Sequence, residues 1–198
     1  IPYFQKSLSL DPSFEYALQH LGWSYVDMNR HDENIELANH ALTIFPNKRS
    51  YKQSQFDAYL DAGKFDDFFT LARELEDSEV KILNPDKVFG DGFLRSGDYE
   101  NAYKRYSKLL DVKNTEISGL YSLRDHSIYR GDYKKFISFS DRLLQSFIEG
   151  GQKISYVNEL VLRAFTLIFT FDQPKESQNI LREIESIFNS NIENIKID

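Results

Sequence analysis

Cysteine is absent from this chain. Its absence excludes disulfides, thiol nucleophiles and thiolate metal sites. It fits the cytosol, the favoured compartment, and leaves a bacterial periplasm open. A surplus of basic residues is also missing: 24 Lys and Arg face 31 Asp and Glu, a formal net charge of -7. Affinity for nucleic acid or an anionic membrane surface needs the opposite balance. Long apolar runs do not occur, so membrane insertion is not expected. The most apolar segment, Leu160 to Phe171, carries Arg163 and falls short of the roughly 18–20 residues needed to cross a bilayer. It reads as a buried helix, or as a surface through which the C-terminal helices self-associate. No phosphate-binding glycine loop or nucleophile elbow is present. His20, His31, His40 and His126 are scattered, with no second ligand at helical spacing, so neither a metal nor a cofactor is expected. Nothing in the chain points to an enzyme.

What is present is a period. Gly63, Gly97 and Gly131 stand 34 residues apart, each followed by Lys64, Asp98 or Asp132 and then by Phe65, Tyr99 or Tyr133. Six residues before each glycine lies Asp57, Asp91 or Asp125. The same interval links Tyr25 to Tyr59 and Phe93, and Pro12 to Pro46. Such spacing marks a supersecondary unit that hides its apolar side by stacking on its neighbours. Hydrophobic content of 41%, with 15% aromatics, supplies the core such a stack needs.

Apolar periodicity predicts helices throughout. The first spans Ile1 to Leu10, and helices from Phe14 to Asn29 and His31 to Phe45 form the next pair. Further pairs are Ser50–Ala62 with Phe65–Glu76, Lys87–Ser96 with Tyr99–Leu110, and Glu116–Arg130 with Tyr133–Ile148. Glycine at each turn accepts the left-handed conformation that ends a helix, and Asp98 and Asp132 cap the helix that follows. Glu149-Gly150-Gly151 reads as a flexible joint. Beyond it come helices from Ile154 to Phe171 and Lys175 to Asn189, then a frayed polar tail from Ser190 to Asp198. Gly90-Asp91-Gly92 lies within a helical segment and suits close packing. The chain begins at Ile1 in mid-repeat, so it reads as a piece of something longer.

This pattern resembles the tetratricopeptide repeat, a 34-residue pair of antiparallel helices. Leu21-Gly22, Tyr25, Ala41-Leu42 and Pro46 match one repeat, and Tyr59, Gly63 and Ala72 the next. Gly90, Phe93, Gly97, Tyr99, Ala102 and Tyr106 match the third, and Gly131 and Tyr133 the fourth. In the fourth, Arg124 stands where glycine is expected and Phe136 where alanine is, as does Phe68 in the second; wider or tilted packing is expected at both phenylalanines. The resemblance implies an all-α, right-handed α-solenoid of antiparallel helix pairs. Residues 1–148 hold a partial unit and about four pairs, and 149–198 a divergent pair that closes the array. It implies a non-catalytic scaffold that binds a peptide or protein segment in a concave groove. The alternative is a sensory or regulatory domain of a larger transcriptional regulator or signalling enzyme.

Carrying the groove positions over residue by residue implies partner-binding roles for Trp23 and Asp27, for Asp57 and Asp61, and for Lys87, Asp91 and Arg95. Tyr121, Asp125 and Tyr129 follow in the fourth repeat. An equivalent register stacks Asp57, Asp91 and Asp125 into a row. Like charges about 10 Å apart repel by roughly 0.4 kcal/mol in water and about 1.7 kcal/mol at an effective dielectric near 20. An acidic groove flanked by aromatics suits a Lys/Arg-bearing segment, held by charge and by cation–π contact. Against this, Lys87 and Arg95 each lie four residues from Asp91 and can pair with it inside one helix. The basic clamp with which some tetratricopeptide domains grip chaperone tails is not matched here.

Overall fold

The computed structural model describes residues 1–79 and 82–192, with side chains as far as residue 189. Among the described residues there are eleven α-helices and no strand. They are α1 (Pro2–Leu10), α2 (Glu15–Asp27), α3 (His31–Ile44), α4 (Arg49–Asp61), α5 (Phe65–Asp77) and α6 (Pro85–Arg95). Then follow α7 (Tyr99–Lys108), α8 (Glu116–Tyr129), α9 (Tyr133–Glu149), α10 (Lys153–Phe169) and α11 (Pro174–Ile192). Every expected helix is present, with most ends within two residues of expectation. Of the polar tail, residues up to Ile192 continue α11; 193–198 lie outside the described residues.

The chain divides into two compact units, Ile1–Ala102 and Tyr103–Asp198, with the division inside α7. In the first, each helix from α1 to α6 packs on its neighbour in sequence, and α4 also reaches α6. In the second, α8, α9, α10 and α11 pack in the same serial manner.

The turns explain the period. Asn29, Gly63, Gly97 and Gly131 occupy successive places 34 apart, with φ of 53°, 66°, 85° and 62°. The next residue's N–H closes each helix: Arg30 to the Tyr25 carbonyl (2.8 Å), Lys64 to Tyr59 (3.0 Å), Asp98 to Phe93 (2.8 Å) and Asp132 to Ser127 (2.9 Å). This bond satisfies a carbonyl that the helix end leaves orphaned. Asn29 is thus an unrecognised first rung, for asparagine is among the few other residues that tolerate this conformation. Asp98 and Asp132 do cap the next helices, accepting from the Asn101 and Lys135 backbone N–H at 3.2 and 3.1 Å. Lys64 instead reaches back to Asp32 at 2.6 Å. The expected joint at Gly150-Gly151 is a further helix stop of this kind. Gly151 has φ 64°, and Gln152 N–H bonds the Phe147 carbonyl at 2.8 Å. Asp172 (φ 52°) has the same backbone hand one residue further past the end of α10, where Gln173 N–H bonds the Leu167 carbonyl at 2.7 Å.

Apolar faces at helical spacing build the cores. In the first unit Phe56 and Leu60 of α4, Phe68, Ala72 and Leu75 of α5, and Val88 and Phe89 of α6 form one cluster. Full burial of a side chain such as Phe68 is worth roughly 1.5–3 kcal/mol. Phe68, the substitute for a small residue, fits because α6 presents Gly92 to it. A Cβ there would lie 2.2 Å from Phe68 Cε1. The large ring and missing side chain are complementary, which is how α5 and α6 approach closely without the expected alanine. In the second unit Phe136 joins Leu160, Ala164 and Leu167 of α10 and Ile180 and Ile184 of α11.

Candidate functional site

In the first unit α2, α3 and α4 enclose a cavity of about 540 Å³, with Arg95 of α6 at its edge. Helical spacing decides what faces it. Ala17, Leu18, Leu21 and Tyr25 turn α2 towards its neighbours, which leaves Trp23 and Val26 on the outer face. Trp23 is 60% exposed and lines the cavity with Leu18 and Gly22. Leu37, Ala38 and Ala41 of α3 contribute an apolar wall, and Ser54, Asp57 and Asp61 of α4 a polar one. Four of the expected partner-binding residues therefore meet here: Trp23, Asp57, Asp61 and Arg95. Asp27, exposed at the end of α2, is not among the lining residues.

The carboxylates around this cavity differ in their partners. Arg95 Nη2 reaches back one repeat to Asp61 Oδ1 at 2.7 Å, rather than pairing with Asp91 in its own helix. Lys87 Nζ lies 2.7 Å from both Asp91 oxygens. Asp57 accepts a hydrogen bond from Gln53 Nε2 at 2.8 Å and has no ion pair among the described residues. Its side chain is exposed, but the neighbouring helices crowd it enough to cost it part of its hydration. That desolvation raises the Asp57 pKa above the usual carboxylate range, and the Asp91 and Asp61 charges raise it further; the Gln53 bond and Lys87 oppose them. The acidic groove is thus largely self-neutralised, and Asp57 is the carboxylate left over.

Beside the cavity, aromatic rings surround His20: Phe4 stacks at 5.6 Å, Tyr16 lies at 4.0 Å and Trp23 meets its edge at 4.8 Å. Sequence reading did not single out this cluster, because Phe4 comes from a different helix.

Tyr121, Asp125 and Tyr129 belong to the second unit. Tyr129 is 61% exposed. Tyr121 lies under the Arg124 guanidinium, 4.9 Å from its ring centroid. Asp125 accepts from Arg124 Nε and Nη2 at 2.9 and 2.6 Å. Arg124 also donates to Glu159 of α10, whose other oxygen accepts from Ser140 at 2.8 Å. Burial pulls the Arg124 pKa down, but the Asp125 and Glu159 carboxylates outweigh it and the net shift is upward. The arginine standing in a glycine position is therefore the centre of a buried ionic network. No spacing rule in the sequence pairs it with Glu159.

The second unit also has a cavity of about 680 Å³, walled by Phe147, Ile148, Ile154, Val157, Ile187 and Phe188. At its rim Tyr156 donates to Glu183 at 2.6 Å. That bond first, and burial second, push its phenol up to about 12. Phe165 and Phe169 stack at 5.9 Å on the outside of α10, where both are exposed. The segment singled out for self-association thus buries Leu160, Ala164 and Leu167 and shows two rings to solvent.

Among the described residues no three His, Asp or Glu side chains gather as a metal site, and no helix is long and apolar enough to cross a membrane. Compared with family models and with curated proteins, the chain matches none.

Proposed function

We propose that the chain is a tetratricopeptide-like, right-handed α-solenoid acting as a non-catalytic interaction module, and that the cavity of its first unit binds a segment of another protein. Serial helix packing within each unit, and the left-handed turns at 34-residue intervals, support the repeat reading. One observation carries the binding reading: an exposed tryptophan and a carboxylate without an ion pair share one concave cavity. An apolar wall with a few polar groups is the usual make-up of a recognition site. Beyond Asp57 and Asp61 the lining brings no histidine or lysine to the cavity, so binding is the better account.

Selection from a random peptide display library tests this. Peptides enriched on the wild-type chain should lose binding to Ser54→Trp, which fills the cavity from an exposed helix position. No enrichment, or enriched peptides that ignore Ser54→Trp, would remove the cavity from consideration.

A further inference from the structure

We propose that the cavity of the first unit recognises one cationic side chain, Lys or Arg, whose head pairs with Asp57 while a neighbouring apolar residue of the same segment rests on the Trp23 side. This deepens the binding reading and rests on it.

The argument is one of charge complementarity. Asp57, Asp61 and Asp91 make this part of the first unit look strongly acidic. Two of them are already matched: Asp61 by Arg95 at 2.7 Å and Asp91 by Lys87 at 2.7 Å to both oxygens. Asp57 has a neutral amide, from Gln53, where the others have cations. One negative charge therefore remains for a ligand. A second cation would have to compete with Arg95, already at the cavity edge. An anionic ligand would find both nearby cations occupied. The rest of the lining carries no charge: beside apolar Leu18, Val26 and Leu37 it holds the neutral polar groups of Gln19, Asn34 and Ser54. Asp57 stands in that cavity exposed, so an arriving cation can reach its carboxylate directly.

The test uses peptides that depend on the cavity, measured by fluorescence anisotropy on the full chain. Each cationic residue is replaced in turn by a neutral counterpart, citrulline for Arg or acetyl-lysine for Lys. One replacement alone should weaken binding by about tenfold or more. Asp57→Asn, which keeps the shape and the Gln53 contact, should weaken the parent peptide equally and be indifferent to that replacement. Asp61→Asn should change affinity less than Asp57→Asn. Cavity-dependent peptides that bind equally well when neutralised would overturn the single-cation proposal and leave the cavity standing. Equal losses from Asp57→Asn and Asp61→Asn would overturn it as well. Peptides unaffected by Ser54→Trp would remove both readings together.

Discussion

In the unit from Ile1 to Ala102 the ion pairs around the cavity sit near solvent: the Asp61–Arg95 side chains are 29% and 47% exposed. In the unit from Tyr103 onward the central pair is sealed, with Arg124 and Glu159 side chains 7% and 1% exposed. Among the described residues the first unit buries no charged side chain, closes Phe68 onto Gly92, and leaves one carboxylate of its cavity without a cation. The second buries one ion pair, Arg124 with Glu159, which with Ser140 ties α8, α9 and α10 together. A buried pair with both carboxylate oxygens engaged favours one set of helix partners over others. A half-solvated carboxylate without a cation specifies nothing in the fold and is available to a ligand. The same residue types thus serve packing in one unit and, on our proposal, recognition in the other.

The largest expected effect probes this contrast directly. Glu159→Ala leaves Arg124 with Asp125 but strips its buried partner and the Ser140 acceptor, at a cost of about 3–5 kcal/mol. Asp61→Ala, which breaks a pair near the surface, should cost less than about 1 kcal/mol. Urea denaturation of both variants measures the gap. Replacing both charges by apolar residues, Arg124→Met with Glu159→Leu, should recover most of the loss. Equal costs for Glu159→Ala and Asp61→Ala would erase the distinction between the units.

The first unit should be most sensitive to sterics instead. Gly92→Ala places a methyl 2.2 Å from the buried Phe68 ring and should destabilise by about 1–3 kcal/mol. At Gly22 the nearest atom to a new Cβ is 3.5 Å away, an ordinary contact. Gly22→Ala should therefore be neutral or stabilising by up to about 1 kcal/mol, the helix preference for alanine. Thermal unfolding of the two variants checks the opposite signs.

These contrasts also show what could be read from the chain. Helix positions were legible because glycines at a fixed interval punctuate them and apolar residues recur at helical spacing. Gly63, Gly97 and Gly131 do so unaided, whereas Asn29 is recognised as the same device only from its φ of 53° in the folded chain. Trp23, Asp57, Asp61 and Arg95 were legible as neighbours through the register of the repeat. Their pairing was not. Whether Arg95 turns to Asp91 in its own helix or to Asp61 in α4 depends on rotamers and on how two helices cross. The Arg124–Glu159 link lies beyond sequence for the same reason, compounded by the change of period after Gly131.

The smallest effects are in the pH dependence, where each unit offers a group with a raised pKa. For Asp57 the folded chain holds its proton more tightly than the unfolded chain does. Stability linked to it is fully present below the unfolded carboxylate value and is lost as pH rises through the folded one. Above that folded value Asp57→Asn should raise the melting temperature, by no more than roughly 2–4 °C. Tyr156 has the same sign in another window: its contribution holds below the ordinary phenol value of 10.0 and is lost as pH climbs towards about 12. The causes differ, and so must the substitutions. Desolvation comes first for Asp57, whereas the bond to Glu183 comes first for Tyr156. Tyr156→Phe should therefore lower the melting temperature slightly at neutral pH, by deleting a favourable bond, and flatten the alkaline decline. If Asp57→Asn lowered it too, the carboxylate would be holding the first unit together, and its place in the cavity would be explained by packing alone.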